Sequence, residues 1–221
     1  LSYIDAHPEK ESEYSDLIES YISFIRASKK DTKGFRNAHR IGAGLQSEAE
    51  SPFSNGEALL ALARYYQYNP DQQIKQIIDD SFVYFEAEPY DTALYLWTMA
   101  ALKDMQTMWP SDAYVAYTEA FTRWRVEGVS FRKYTKSNYC AYTEGIASAY
   151  SVLEGSSTEE SLQQLRNEID YWNTKNSHLQ IGEDDLYRTT NEDGILSTKK
   201  IENEKLAFGG FLTGSNNQTQ R

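Results

Sequence analysis

Three acids stand beside aromatic or glycine residues at the starts of apolar stretches. Glu57 closes Ser51-Pro52-Phe53-Ser54-Asn55-Gly56-Glu57, Asp91 lies in Pro89-Tyr90-Asp91-Thr92, and Glu144 in Tyr139-Cys140-Ala141-Tyr142-Thr143-Glu144-Gly145. Carboxylates serve as general acid and base when their surroundings drive their pKa values apart. In glycoside hydrolysis the spacing of two such groups decides the stereochemical outcome. Glu57, Asp91 and Glu144 are therefore the catalytic candidates. Asn55 adds a polar contact, and Tyr90, Trp97 and Tyr142 add flat faces that suit the apolar C–H side of a sugar ring. The same acids also have an ordinary role, because Asp and Glu favour the first turn of any helix as caps and dipole partners.

One concentrated basic stretch, Phe35-Arg36-Asn37-Ala38-His39-Arg40, precedes the first of these starts. Arg36 and Arg40 have the fork geometry to pair a substrate carboxylate, and His39 could carry a proton. An exposed loop with solvated charges is the competing reading. His7 and His178 have no evident partners in sequence. No His-x-x-x-His or clustered His/Cys pattern occurs, so we expect no metal site and no cofactor. Neither a glycine-rich phosphate loop nor a Gly-x-Ser-x-Gly elbow is present. The single cysteine, Cys140, excludes an internal disulfide framework and reads as a buried small hydrophobe at a helix start rather than a nucleophile.

The elements that must position these residues alternate in character. Amphipathic helices are expected over Glu9 to Ser28 (stripe Leu17, Ile18, Tyr21, Ile22, Ile25) and Asp71 to Phe85 (Ile74, Ile77, Ile78, Phe82, Phe85). Two more run over Ser111 to Arg125 (Tyr114, Tyr117, Phe121, Trp124) and from Ser157 onward (Leu162, Leu165, Ile169, Trp172), the last opened by a Ser157/Glu160 capping box. Between them lie Glu57 to Tyr66, Ala93 to Leu102 and Gly145 to Leu153, which are apolar nearly all round and rich in small residues. A helix without a polar face must be covered on several sides. Asn69-Pro70, Trp109-Pro110 and Gly155-Ser156 make short connections, so each pair is a hairpin with one inner and one outer helix. The hairpins recur at roughly 35 to 55 residues, as helical repeats do. An all-apolar inner row favours a closed double ring over an open solenoid.

Weakly alternating sequence over Gly34 to Gln46, and an Asn191-Glu192-Asp193-Gly194 turn, mark one or two short β-hairpin insertions. Residues 182–214 are expected to form an irregular or β-hairpin arm on a single domain spanning 1–221. The chain opens on Leu1, and three and a half hairpins do not close a six-hairpin ring. Part of the ring is thus expected in a remaining segment of the same protein.

Ser51 to Tyr66 (SPFSNGEALLALARYY) followed by Asn69-Pro70 resembles the inner-helix start and turn of bacterial α/α-toroid proteins of the six-hairpin glycosidase-like group. Tyr142 to Ala147 (YTEGIA) and Gly209-Gly210-Phe211 are similar to later segments of such chains. The resemblance implies an all-α toroid and a carbohydrate-active protein, because the wider group holds glycoside and uronyl hydrolases, sugar epimerases and polysaccharide lyase domains. It carries no catalytic pair onto this chain residue by residue. The lone cysteine argues against the zinc-dependent lanthionine-cyclase branch, and Asp184-Asp185 is too short a motif for a terpene-type toroid.

With 22 Lys plus Arg against 33 Asp plus Glu, the net charge is −11, which disfavours nucleic acid and anionic membranes as partners. No stretch is apolar for long enough to span a bilayer. The expected partner is a saccharide or other small molecule, bound at the inner-helix mouth and hydrolysed or epimerised there. The alternative is a non-catalytic helical-repeat module that binds a peptide or glycan.

Overall fold

The computed structural model describes residues 1–31, 33–37, 48–127, 139–177, 187–192 and 195–200. Helices make up most of these residues. The chain divides into two compact units, Leu1–Phe121 and Thr122–Arg221.

The first unit contains α1 (Ser2–Ala6), a 3-10 turn (Pro8–Lys10), α2 (Glu11–Ser28), α3 (Pro52–Tyr68), α4 (Gln72–Ala87), α5 (Thr92–Met108) and the start of α6 (Asp112–Glu127). Pro52 opens α3 at a position where its missing N–H costs nothing. Asp71 caps α4, its carboxylate accepting from the Gln73 and Ile74 amides at 2.6 and 3.1 Å. Asp91 caps α5 in the same way, accepting from the Ala93 amide at 2.7 Å.

α3 and α5 are covered on most sides, whereas α4 buries a single stripe. α3 and α5 are each other's closest neighbours, and Leu59, Leu62, Met99, Leu102 and Met105 between them are shut off from solvent. They run side by side in the same direction. Gly56, near the start of α3, meets Leu94 and Trp97 near the start of α5, while Arg64 pairs with Asp104 at 3.3 Å further along both. Gly56 leaves room for this approach, since a Cβ there would stand 2.6 Å from the Trp97 Cβ. α4 and α6 meet through their aromatic residues. Ile74, Ile78, Phe82 and Phe85 of α4 are buried, each contributing roughly 1.5–3 kcal/mol by leaving water. Phe82 meets Tyr114 and Tyr117 edge-on at 4.8 and 5.6 Å.

α2 departs from its expected stripe. Only Ile22 and Ser28 are buried, while Leu17, Tyr21 and Phe24 remain 49%, 62% and 50% exposed. Among the described residues α2 packs chiefly on α3, and one helix covers only a narrow strip of another. Its other ties are polar, with Tyr65 donating to Glu19 and Arg26 to Gln73.

In the second unit α7 (Tyr139–Leu153) and α8 (Glu159–Ser177) pack as a hairpin. Gly155 makes the turn between them at φ +81°, a backbone region that L side chains resist. The cap of α8 falls one residue later than the capping box predicts. Thr158 Oγ1 accepts from the Ser161 amide at 3.3 Å, because the helix starts at Glu159 rather than Thr158. Ile146, Ala149, Val152, Leu153, Leu162 and Leu165 are buried here. Strands β1 (Tyr187–Glu192) and β2 (Ile195–Lys200) pair antiparallel, from Tyr187 opposite Lys200 to Glu192 opposite Ile195. Between α2 and α3 the backbone makes two isolated antiparallel bridges, Lys29 with Phe35 and Arg36 with Glu50. No helix among the described residues is long and apolar enough to cross a membrane.

Candidate functional site

A groove runs along the seam of α2 and α3. One chamber, about 500 Å³, is lined by Phe24, Ser28, Phe35, Arg36, Asn37 and Ser54 together with apolar residues. A second, about 310 Å³, is lined chiefly by Ile18, Tyr21, Ile22, Leu60 and Trp97. Ile25, Glu57 and Ala61 belong to both, so the chambers adjoin. Both volumes fall in the range of small-molecule sites, about 300–1,000 Å³. Glu57 is exposed, and it is the one carboxylate among the described residues lining either chamber.

The larger chamber is shaped by a polar clasp. The Glu50 carboxylate accepts from Lys30 Nζ at 3.0 Å, the Gly34 amide at 3.1 Å, the Tyr84 hydroxyl at 3.2 Å and Asn55 Nδ2 at 3.3 Å. Asn55 Oδ1 in turn accepts from the Phe35 amide at 2.7 Å. Gly34 is glycine because a Cβ there would collide with the Asn55 side chain. Arg36 pairs with Glu48 at 3.2 Å and donates to the Lys29 carbonyl at 3.4 Å. The clasp thus presses 34–36 onto the start of α3 and sets Phe35 and Arg36 against the groove.

Burial alone would raise the Glu50 carboxyl. The hydrogen bonds from Lys30, Asn55 and Tyr84 and the Lys30 charge outweigh it, and hold the carboxyl below its ordinary value. Burial and the nearby Glu50 charge push the Tyr84 hydroxyl up to about 12. Burial likewise lowers the Lys29 ammonium, against the pull of Asp80, Glu50 and Asp31. Because the folded Glu50 titrates below its unfolded value, about 4.3, its stabilisation is complete above that pH and is lost as pH falls through the lower folded value. Urea midpoints measured from about pH 6 to about pH 3 should therefore fall more steeply for the parent chain than for Glu50→Gln. Parallel curves would remove Glu50 from the acid response.

The predicted site residues separate. Glu57, Arg36 and Trp97 line the groove. Asn55 is buried, both ends of its amide held in the clasp, so it organises the chamber wall rather than meeting a ligand. Asp91 is committed to its cap. Tyr90 lies flat on Phe121 at 4.6 Å, tilted by 11°, and is spent on packing. Glu144 is exposed on the first turns of α7 in the second unit. Tyr142 is a core residue rather than a wall, with Trp172 edge-on at 5.5 Å and the Arg125 guanidinium 4.7 Å over its ring. His39 and Arg40 lie outside the described residues.

Glu50, Ser54 and Phe24 were not anticipated. Glu50 and Ser54 flank the Ser51-Pro52 helix start, a signal of a cap rather than a clasp. Phe24 falls one residue off the α2 stripe and reads as a surface residue until the seam with α3 is known.

The chain matches no family model, no curated protein and no solved structure. Function therefore rests on the groove itself.

Proposed function

We propose that this chain is a saccharide-binding protein, built from the hairpins of an α/α-toroid, whose ligand lies in the α2/α3 groove. The supporting observation is the makeup of the larger chamber. It combines the exposed ring of Phe24 and buried Phe35 with the polar side chains of Ser54, Asn37, Arg36 and Glu57. Sugars need both, a flat apolar surface for their C–H faces and fixed donors and acceptors for their hydroxyls. Two same-direction inner helices backed by two outer ones support the toroid part of the proposal.

Glu57 is the acid or base in any chemistry at this site. Hydrolysis or epimerisation by a carboxylate pair would need a second group, and Asp91 is occupied as a cap. Binding is therefore the primary proposal. Titration calorimetry against neutral and uronic oligosaccharides should give a ligand whose affinity falls about tenfold in Phe24→Ala and in Glu57→Gln, the loss of one good contact. Both side chains are exposed, so both variants should fold. Unchanged affinity in both would move the site elsewhere.

The exposed strip of Leu17, Tyr21 and Phe24 favours a second reading, a non-catalytic module that docks a peptide on α2. Saturation of the groove by a sugar with no competition from peptide would set that reading aside.

A further inference from the structure

We infer that the groove takes an amphiphilic glycoconjugate, with the sugar in the larger chamber and an alkyl or acyl chain in the smaller one. This rests on the saccharide reading and adds the class of substituent the sugar carries.

The polarity of the groove changes sharply along its length. The larger chamber offers Asn37, Ser54 and Glu57 to a ligand, with Arg36 held beside them by Glu48. Past the shared residues Ile25, Glu57 and Ala61, the wall becomes Leu1, Ile18, Ile22 and Leu60, with Tyr21 and Trp97. Arg64 is the one further charged side chain there, and its guanidinium is engaged by Asp104 at 3.3 Å. A second sugar ring would find few partners for its hydroxyls in this chamber, and each unpaired hydroxyl that lost water would cost affinity. An alkyl chain loses nothing polar and gains from every methylene removed from water. From Ile18 to Ile25 the α2 wall extends about 10 Å at 1.5 Å per residue, which suits an elongated chain laid along the seam. The two chambers share Ile25, Glu57 and Ala61 as a common wall, so one molecule laid along the seam would meet both.

The test uses n-alkyl glucosides and galactosides from methyl to heptyl, kept below their micelle concentrations, with heptanol as the sugar-free control. Calorimetry should show affinity rising by up to about fourfold per methylene, the full-burial limit, until the chamber is filled. Ile18→Gln, whose folding is checked by circular dichroism and melting temperature, should flatten that rise. Affinity independent of chain length would overturn the inference and leave saccharide binding standing. Heptanol binding as tightly as the heptyl glycosides would overturn it as well, because the sugar would then contribute nothing. Silence from every glycoside and from the oligosaccharide panel would overturn the saccharide reading itself.

Discussion

Phe121→Ala should cost about 3–5 kcal/mol, the range for deleting a fully buried aromatic ring. Phe121 has no solvent exposure and is ringed by aromatic partners in the first unit. Tyr90 is stacked on it at 4.6 Å, and Tyr95 and Tyr117 meet it edge-on at 5.1 and 5.7 Å. Removing it strips each neighbour of a quadrupole-matched contact and leaves a void that rigid rings fill poorly. Tyr117 lies deep in this cluster, and burial drives its hydroxyl well above the ordinary range. Phe53→Ala is the control, since Phe53 is 56% exposed and its loss should change stability by under about 0.5 kcal/mol. Urea midpoints for both variants, with slopes compared, would decide. A loss below about 1 kcal/mol for Phe121→Ala would mean that the cluster closes over the gap, contrary to the packing described.

Gly56→Val should cost about 3 kcal/mol through overpacking. The Trp97 Cβ stands 2.6 Å from where the new Cβ must go, and being fixed to the backbone of α5 it cannot swing aside; Leu94 Cδ1 is 3.3 Å away. α3 and α5 would have to separate, and Trp97, which lines the groove, would move with them. Gly56→Ala should cost less, because alanine recovers up to about 1 kcal/mol of helix propensity while still colliding at Cβ. The distinctive expectation is a loss of ligand affinity alongside the loss of stability. A valine variant as stable as the parent would show that the two helices are not held at this spacing.

How much of this was open to inspection in the sequence follows from what each feature depends on. The helices were legible because burial repeats at helical spacing. Ile74, Ile78, Phe82 and Phe85 declare the amphipathic helix α4, and the all-apolar run through α3 declares a helix covered on most sides. Their pairing was legible too, since Asn69-Pro70 and Trp109-Pro110 leave no room for another topology. The fate of polar residues was not. Asn55 and Glu57 are two positions apart on α3, yet one is locked into a clasp with Phe35 and Glu50 while the other lies open on the groove. That difference is made by residues 34–36 crossing over the helix start, a long-range contact with no local periodicity. Asp91 shows the opposite case. Its carboxylate does the local work that sequence position alone implies, and an acid so occupied is a weak catalyst.

The bridge between Arg36 and Glu50, with the Asn37 amide reaching the Ala49 carbonyl at 3.1 Å, has a consequence for how this protein can diversify. The two ends of the α2–α3 connection are tied to each other independently of the chain between them. Doubling that chain would add only about 0.6 kcal/mol of closure entropy. Descendants could therefore lengthen or replace the segment between residues 37 and 49 without renegotiating the helices it joins.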